Sequence, residues 1–109
     1  MKTCFVAAAA TLIATAVSAE ERHFVCISDR DGSEVRLNRA PEGDKGNIET
    51  ANISGDAMVF KGVGNMTFVH IEGEDVMTFV VNYDDMSFDL SVKGPHAGTD
   101  HGTCTETDA

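Results

Sequence analysis

Residues 57–92 have the sequence AMVFKGVGNMTFVHIEGEDVMTFVVNYDDMSFDLSV. Two turn candidates, Gly73-Glu74 and Asp84-Asp85, divide this stretch into segments rich in Val, Phe and Met. Glycine at the first position of a two-residue turn is typical of a type II′ β-hairpin. Because side chains alternate between the faces of a strand, the first turn places Phe68 opposite Phe79. The stretch therefore predicts a continuous antiparallel meander.

The two turns agree on which side chains share a face. The predicted core face consists of Met66, Phe68, Met77, Phe79, Val81, Phe88, Leu90 and Val92. Met58 and Phe60 join this face if residues 63–65 form a three-residue turn. The opposite face carries an apolar band made of Val69, Ile71, Val76 and Val80. Such a band is unusual for a solvent-facing surface, and we expect it to mark an oligomer contact, a partner site or a covering segment.

The rest of the chain continues the same pattern of short apolar segments between turn residues. Asp31-Gly32 is a strong hairpin signal. The predicted strands are 23–28, 33–38, 47–53, 57–62, 66–72, 76–82, 87–92 and 103–105, and residues 93–102 are predicted to form a loop. The fold class is therefore all-β, a small antiparallel meander that closes into a barrel or sandwich of about seven or eight short strands.

The N-terminus has the layout of a secretory signal peptide. Lys2 precedes an uncharged, alanine-rich segment, and Val17-Ser18-Ala19 offers compact residues for cleavage. We predict a signal peptide over 1–19 and a single β-domain over 20–109, with 105–109 as a disordered tail. The protein is then exported, either to a periplasm or into the medium, and a bacterial source is favoured.

Two cysteines, Cys26 and Cys104, remain after the predicted cleavage. In an oxidising compartment, a pair at the two ends of a small domain is expected to form a disulfide, although two free thiols are the alternative. Cleavage also removes Lys2, so that 7 basic and 18 acidic residues give a net charge of −11 instead of −10. This charge opposes binding to nucleic acid and to anionic membranes, and we expect no membrane insertion of the mature chain. A cationic protein is the partner that the charge favours.

Catalytic and metal-binding signals are weak. His96, Asp100 and His101 are a candidate metal set, and a solvated glycine-rich loop is the simpler interpretation. We therefore predict no metal and no cofactor. Serine residues lack a nucleophile motif, and the turn carboxylates form no recognisable acid–base pair, so that we predict a non-enzymatic protein.

The candidate binding residues come from the meander. His70 lies on the predicted core face, either as a hydrogen-bonded core residue or as a polar group in a ligand cavity, and the sequence indicates no acid–base partner for it. Glu74 and Asp75 form an acidic turn, and Val69 and Ile71 belong to the apolar band. We expect these five residues to contribute to binding.

The layout resembles the periplasmic and membrane-bound inhibitors of C-type lysozyme. Phe24-Val25-Cys26 comes early, Cys104 late, and Ser54-Gly55 between them matches the start of the Ser-Gly-x-x-Tyr loop of that family. Met58 stands at the tyrosine position, and the lysine-containing motif of the family has no counterpart. The resemblance implies a small exported barrel that could meet a basic lysozyme.

The function that these observations favour is a binding module for another protein. The alternatives are a lysozyme-inhibitor-like protein and a binder of a small apolar ligand. The latter requires a cavity lined by phenylalanines and methionines of the core face, among them Phe60, Phe68, Phe79 and Phe88.

Overall fold

The computed structural model describes residues 21–41 and 44–107. The predicted signal peptide lies outside these ranges. Eight strands follow one another along the chain: β1 (Arg22–Ser28), β2 (Glu34–Arg39), β3 (Lys45–Glu49), β4 (Ser54–Lys61), β5 (Asn65–Glu72), β6 (Asp75–Asn82), β7 (Ser87–Lys93) and β8 (Gly98–Thr107).

The eight strands form a closed antiparallel barrel in which each strand pairs with its neighbours in sequence and β8 pairs with β1. The all-β prediction is confirmed, and of the two predicted architectures the chain adopts the barrel. Closure leaves no unpaired sheet edge, which removes the usual route to edge-to-edge aggregation.

The register of β5, β6 and β7 agrees with the sequence-based prediction. Phe68 lies opposite Phe79 across the turn at Gly73-Glu74, and Phe79 lies opposite Leu90 across the next turn. Two turns that fix compatible registers leave the meander no freedom to slip, because a slip by one residue would expose the whole core face.

The register of β4 differs from the prediction by one residue. The sequence predicts a three-residue turn before β5, whereas the backbone N–H of Gly62 donates to the carbonyl oxygen of Asn65 (3.0 Å) and closes a two-residue turn. A shift of one residue exchanges the two faces of a strand. Val59 is therefore buried in the core, and Met58 and Phe60, predicted to be inside, are 52% and 49% exposed.

The C-terminal third of the chain contains more strand than predicted. Residues 98–102, predicted to be loop, are part of the ten-residue strand β8. Residues 105–107, predicted to begin a disordered tail, extend this strand beside β1, and residues 108–109 lie outside the described ranges. Hydropathy does not indicate the first half of this strand, because the positions on the same face as Cys104 hold Gly98, Asp100 and Gly102 rather than apolar side chains.

The core fills the barrel with side chains from every strand. Its largest fully buried members are Phe24, Phe68, Phe79, Phe88, Leu37, Ile48, Met66, Val81 and Cys26. Fully burying one side chain of this size stabilises a domain by about 1.5–3 kcal/mol, which makes the interior the main source of stability. Phe68, Phe79 and Phe88 are fully buried, whereas Phe60 lies on the outside of the barrel, so the four phenylalanines do not line one cavity.

The seam between β1 and β8 is closed covalently. Cys26 and Cys104 lie directly opposite each other and form the predicted disulfide, with 3.9 Å between their Cα atoms. Its presence indicates an oxidising environment. Gly102 allows the two strands to approach closely, because a Cβ at this position would lie 1.9 Å from the carbonyl oxygen of Ile27.

The two ends of the barrel differ. The base, where β1 enters and β8 leaves, is closed by Arg22, whose guanidinium carbon lies 5.4 Å from the ring centre of Phe24 and 5.1 Å from that of Tyr83. Arg22 Nη2 also donates to Glu106 Oε1 at 3.0 Å. The opposite end, which we call the mouth, is formed by the connections that follow β1, β3, β5 and β7.

Candidate functional site

The outward face of β4, β5 and β6 carries a continuous apolar surface. We call it the outer band, and it consists of Met58, Phe60, Val69, Ile71, Val76 and Val80. Ile71 is 62% exposed and Val76 is 38% exposed, whereas Val69 and Val80 are half-buried. The sequence predicts four of these residues; Met58 and Phe60 join them through the shift in the register of β4.

The register explains why the outer band is continuous. Met58 lies opposite Val69, and Ile71 lies opposite Val76, so that apolar side chains of neighbouring strands stand side by side. Directly opposed side chains in an antiparallel sheet have Cβ atoms about 4.5–5.5 Å apart, which is close enough for contact. The band is thus one surface rather than six separate side chains.

A groove of about 460 Å³ lies at the β3 side of the outer band. Its walls include Met58, Val69 and Ile71, while Gly46 and Ala57 contribute little side-chain volume. Small residues between large ones create the depression. An apolar side chain from another molecule would fit such a groove with little exposed apolar surface remaining.

Charged residues of both signs surround the outer band. Asp56 and Lys45 line the groove. On the other side, Lys93 lies opposite Val76 and Asp89 lies opposite Val80. Charges at the edge of an apolar surface contribute to specificity and to the rate of association more than to affinity.

His70 lies beneath the mouth, on the inward face of β5, and is 6% exposed. Its Nδ1 is 2.7 Å from the carbonyl oxygen of Asp56, and its Nε2 is 2.9 Å from Glu72 Oε1. Gly55 provides the space for the ring, since a Cβ there would lie 2.5 Å from His70 Cε1. The inward position is as predicted, but His70 does have an acidic partner, Glu72, two residues away on the same face.

These contacts shift the pKa of His70. Burial of the imidazole opposes protonation, but the carbonyl oxygen of Asp56 and the carboxylate of Glu72 outweigh it, and the pKa of His70 is raised above its usual value. Both ring nitrogens face an acceptor, which is the arrangement that stabilises the protonated imidazole.

Hydrogen bonds between Asp75 and His96 link the start of β6 to the β7–β8 connection at the mouth. The backbone N–H of His96 donates to Asp75 Oδ1 (2.9 Å), and His96 Nδ1 lies 2.7 Å from Asp75 Oδ2. These hydrogen bonds lower the pKa of the Asp75 carboxyl below its usual value, and the bond from the backbone N–H has the larger effect. Nothing in the sequence relates these residues, which are 21 positions apart.

A cleft of about 550 Å³ opens at the mouth beside these residues. Ile53, Met77 and Val92 form its apolar part, and Glu72 and Asp75 stand at its edge. Of the predicted binding residues, His70 and Asp75 therefore lie near the mouth, and Val69 and Ile71 lie in the outer band. Glu74 is exposed at the tip of the β5–β6 turn.

The candidate metal set is not brought together. His96 contacts Asp75, whereas Asp100 accepts a hydrogen bond from Ser28 Oγ inside the barrel (2.8 Å to Oδ2). His101 is exposed on the other face of β8. Within residues 21–41 and 44–107, no group of three or more His, Cys, Asp and Glu side chains could hold a metal ion.

Comparison of the chain with protein-family models, curated proteins and solved structures finds no match. The resemblance to lysozyme inhibitors accordingly stays a prediction. In the structure, Ser54-Gly55 begins β4 rather than forming a loop. Among the described residues, no helix has the length and hydropathy needed to cross a membrane.

Proposed function

We propose that this protein is an exported, non-enzymatic β-domain that binds another protein through the outer band. The observation that carries the proposal is the exposure of the outer band on a barrel that already has its own buried core. An antiparallel sheet with one solvated face normally carries polar side chains there. Exposed apolar surface that does not serve the fold is characteristic of an interaction site.

The groove supports a protein partner over a flat lipid or polysaccharide surface. Protein interfaces concentrate their binding energy in a few large side chains that enter well-packed pockets. The groove between β3 and β5 offers such a pocket, with Met58 and Val69 as apolar walls and Asp56 and Lys45 as polar contacts at its edge.

The charge of the chain favours a cationic partner. A formal net charge of −10 for the full sequence, or −11 without Lys2, attracts basic proteins over distances of about a Debye length. The outer band would then provide affinity at contact, while the net negative charge of the chain accelerates the encounter.

The experiment uses the oxidised chain, attached through its C-terminus, to retain proteins from an envelope extract. Each retained protein is purified and its Kd is measured for the wild type and for the double variant Met58→Thr/Phe60→Thr. Threonine keeps the strand propensity while it removes apolar surface. We expect at least a tenfold increase in Kd.

A matched control places the same substitution on β2, which β3 separates from the outer band. Glu34→Thr/Arg36→Thr alters two exposed outward residues of β2, and we expect it to leave Kd unchanged. Equal loss in both variants, or no loss in the band variant, would contradict the proposal. A dimer of the wild type that dissociates in the band variant would show that a second copy occupies the band instead.

C-type lysozyme is the cationic protein to test first, because of the resemblance in layout. Inhibition of lysozyme by the wild type, with loss of inhibition in Met58→Thr/Phe60→Thr, would identify the partner class. Inhibition that the band variant retains would place the lysozyme contact elsewhere and count against the outer band as the functional surface.

A further inference from the structure

The mouth cleft is a second site, separate from the outer band. Its apolar part is formed by Ile53, Met77 and Val92, which come from the β3–β4 connection, β6 and β7. Ligand sites for small molecules are concave and mostly apolar, with few polar groups and volumes of about 300–1,000 Å³. The mouth cleft, at about 550 Å³, has these properties.

The polar residues that line this cleft are the two carboxylates Glu72 and Asp75, together with Asn52 and His96. Glu72 and Asp75 form the last pair before the β5–β6 turn and both line the cleft. Each carboxylate has a histidine partner, His70 for Glu72 and His96 for Asp75. The Glu72 side chain is 55% exposed, so that it remains accessible to a ligand.

This combination selects one class of ligand. We propose that the mouth cleft binds a small organic ammonium ion whose apolar body contacts Met77 and Val92 and whose charge lies between Glu72 and Asp75. An ammonium group between two carboxylates is attracted to both, and their oxygens can accept further charge-assisted hydrogen bonds from it.

Ligands of other charge fit the cleft less well. An anion would meet the two carboxylates, and the described residues that line the cleft include no Lys or Arg. A neutral apolar molecule would fill the same space but would remove water from the carboxylates without replacing its hydrogen bonds, which costs free energy. An organic ammonium ion places its apolar body against the apolar side chains of the cleft and its charge beside the two carboxylates.

The test uses three probes with the same apolar body: octylammonium, octan-1-ol and octanoate. Binding to the oxidised protein is measured by calorimetry at neutral pH, and the site is located from NMR shifts of the methionine methyl groups. We expect octylammonium to bind at least tenfold more tightly than octanol, octanoate to bind more weakly still, and the Met77 methyl to shift rather than that of Met58.

Two isosteric double variants test the role of the carboxylates. Glu72→Gln/Asp75→Asn should weaken octylammonium binding at least tenfold without weakening octanol binding, which also shows that the cleft is intact. Glu34→Gln/Asp89→Asn removes the same net charge at exposed positions away from the cleft and should leave octylammonium binding unchanged.

Several outcomes would overturn the proposal. These are equal affinity for octylammonium and octanol, an equal loss in both double variants, shifts centred on Met58, and no binding of octylammonium at millimolar concentration. Because these probes and variants leave the outer band intact, a negative result would not affect the proposed protein-binding function.

Discussion

The outside of the barrel differs between two neighbouring sets of strands. We call β1, β2 and β3 the polar half, and β4, β5 and β6 the apolar half. Across β1, β2 and β3, polar side chains bond to one another: His23 Nδ1 lies 2.8 Å from Asn38 Oδ1, and Asn38 Nδ2 donates to Asn47 Oδ1 at 2.8 Å. Across β4, β5 and β6, the corresponding outward positions hold the outer band. The polar half thus pairs several of its outward polar side chains with one another and exposes one large apolar side chain, Ile27 (41%), whereas the apolar half leaves several apolar side chains available to another molecule.

Both halves place fully buried side chains in the core, but their strands are held together in different ways. The polar half contains the seam between β1 and β8 with its disulfide, and the apolar half is held by register and packing alone. The buried core and the disulfide at the seam are the main sources of stability. The exposed part of the outer band remains available for the external contact proposed above.

The largest expected effect concerns the seam. Cys26→Ser/Cys104→Ser opens a loop with a sequence separation of 78 residues. On the chain-entropy model the free energy of unfolding should fall by about 4–5 kcal/mol, measured by urea denaturation. Reductant should lower the stability of the wild type by a similar amount and leave the variant unchanged. An unchanged urea midpoint in the variant would show that the seam does not need its covalent bond.

The next largest effect on the free energy of unfolding is expected from an inward phenylalanine of the apolar half, compared with an outward one. Phe68→Ala should lower the free energy of unfolding by about 3–5 kcal/mol, because Phe68 is 0% exposed. Phe60→Ala, at an outward position of the neighbouring strand, should change it by no more than about 0.5 kcal/mol. Urea denaturation measures both. Similar losses in the two variants would mean that β4 adopts the register with Phe60 inside.

A smaller effect is expected at the mouth. Gly55→Ala should lower the free energy of unfolding by about 1–3 kcal/mol, because the added methyl meets the His70 ring and the packed core cannot yield freely. In a His70→Ala background the same substitution should cost less, since the ring is absent. Thermal or urea unfolding of the four proteins in this cycle measures the coupling, and strictly additive losses would contradict the contact.

The smallest effect is a dependence on pH. Since the pKa of His70 is raised by folding, its protonation stabilises the barrel fully below the pKa of the unfolded chain. This contribution is lost as the pH rises through the raised pKa of the folded state. The stability difference between wild type and His70→Gln should therefore shrink from acidic to alkaline pH. An NMR titration of the imidazole checks the direction, and a pKa below the usual value would contradict it.

The sequence contains enough information to predict β5, β6 and β7. Gly73-Glu74 and Asp84-Asp85 each imply a register, and both place Phe79 on the core face. The register of β4 is not decided by the sequence, because either alternation puts apolar residues inside: Ala57 and Val59, or Met58 and Phe60. Only the backbone geometry of the β4–β5 turn distinguishes the two.

The contacts between residues at the mouth can be predicted from the sequence only in part. The inward position of His70 follows from the meander, and Glu72 lies on the same face by alternation. The contact between Asp75 and His96 depends on how β7 and β8 are connected, and the segment before His101 lacks the apolar residues that would indicate a strand. Sites built from two connections require the closed barrel to be known.

The pairing of β1 with β8 places His23 opposite Thr107, so the chain enters and leaves the barrel side by side at the base. His23 and Thr107 are therefore both about 20 Å from the mouth, the length of one strand. Attachment at either of these two ends of the barrel holds the protein in the same orientation, with the mouth pointing away from the support. A short peptide that joins the two ends would allow circular permutation, with new termini placed in one of the four connections at the mouth.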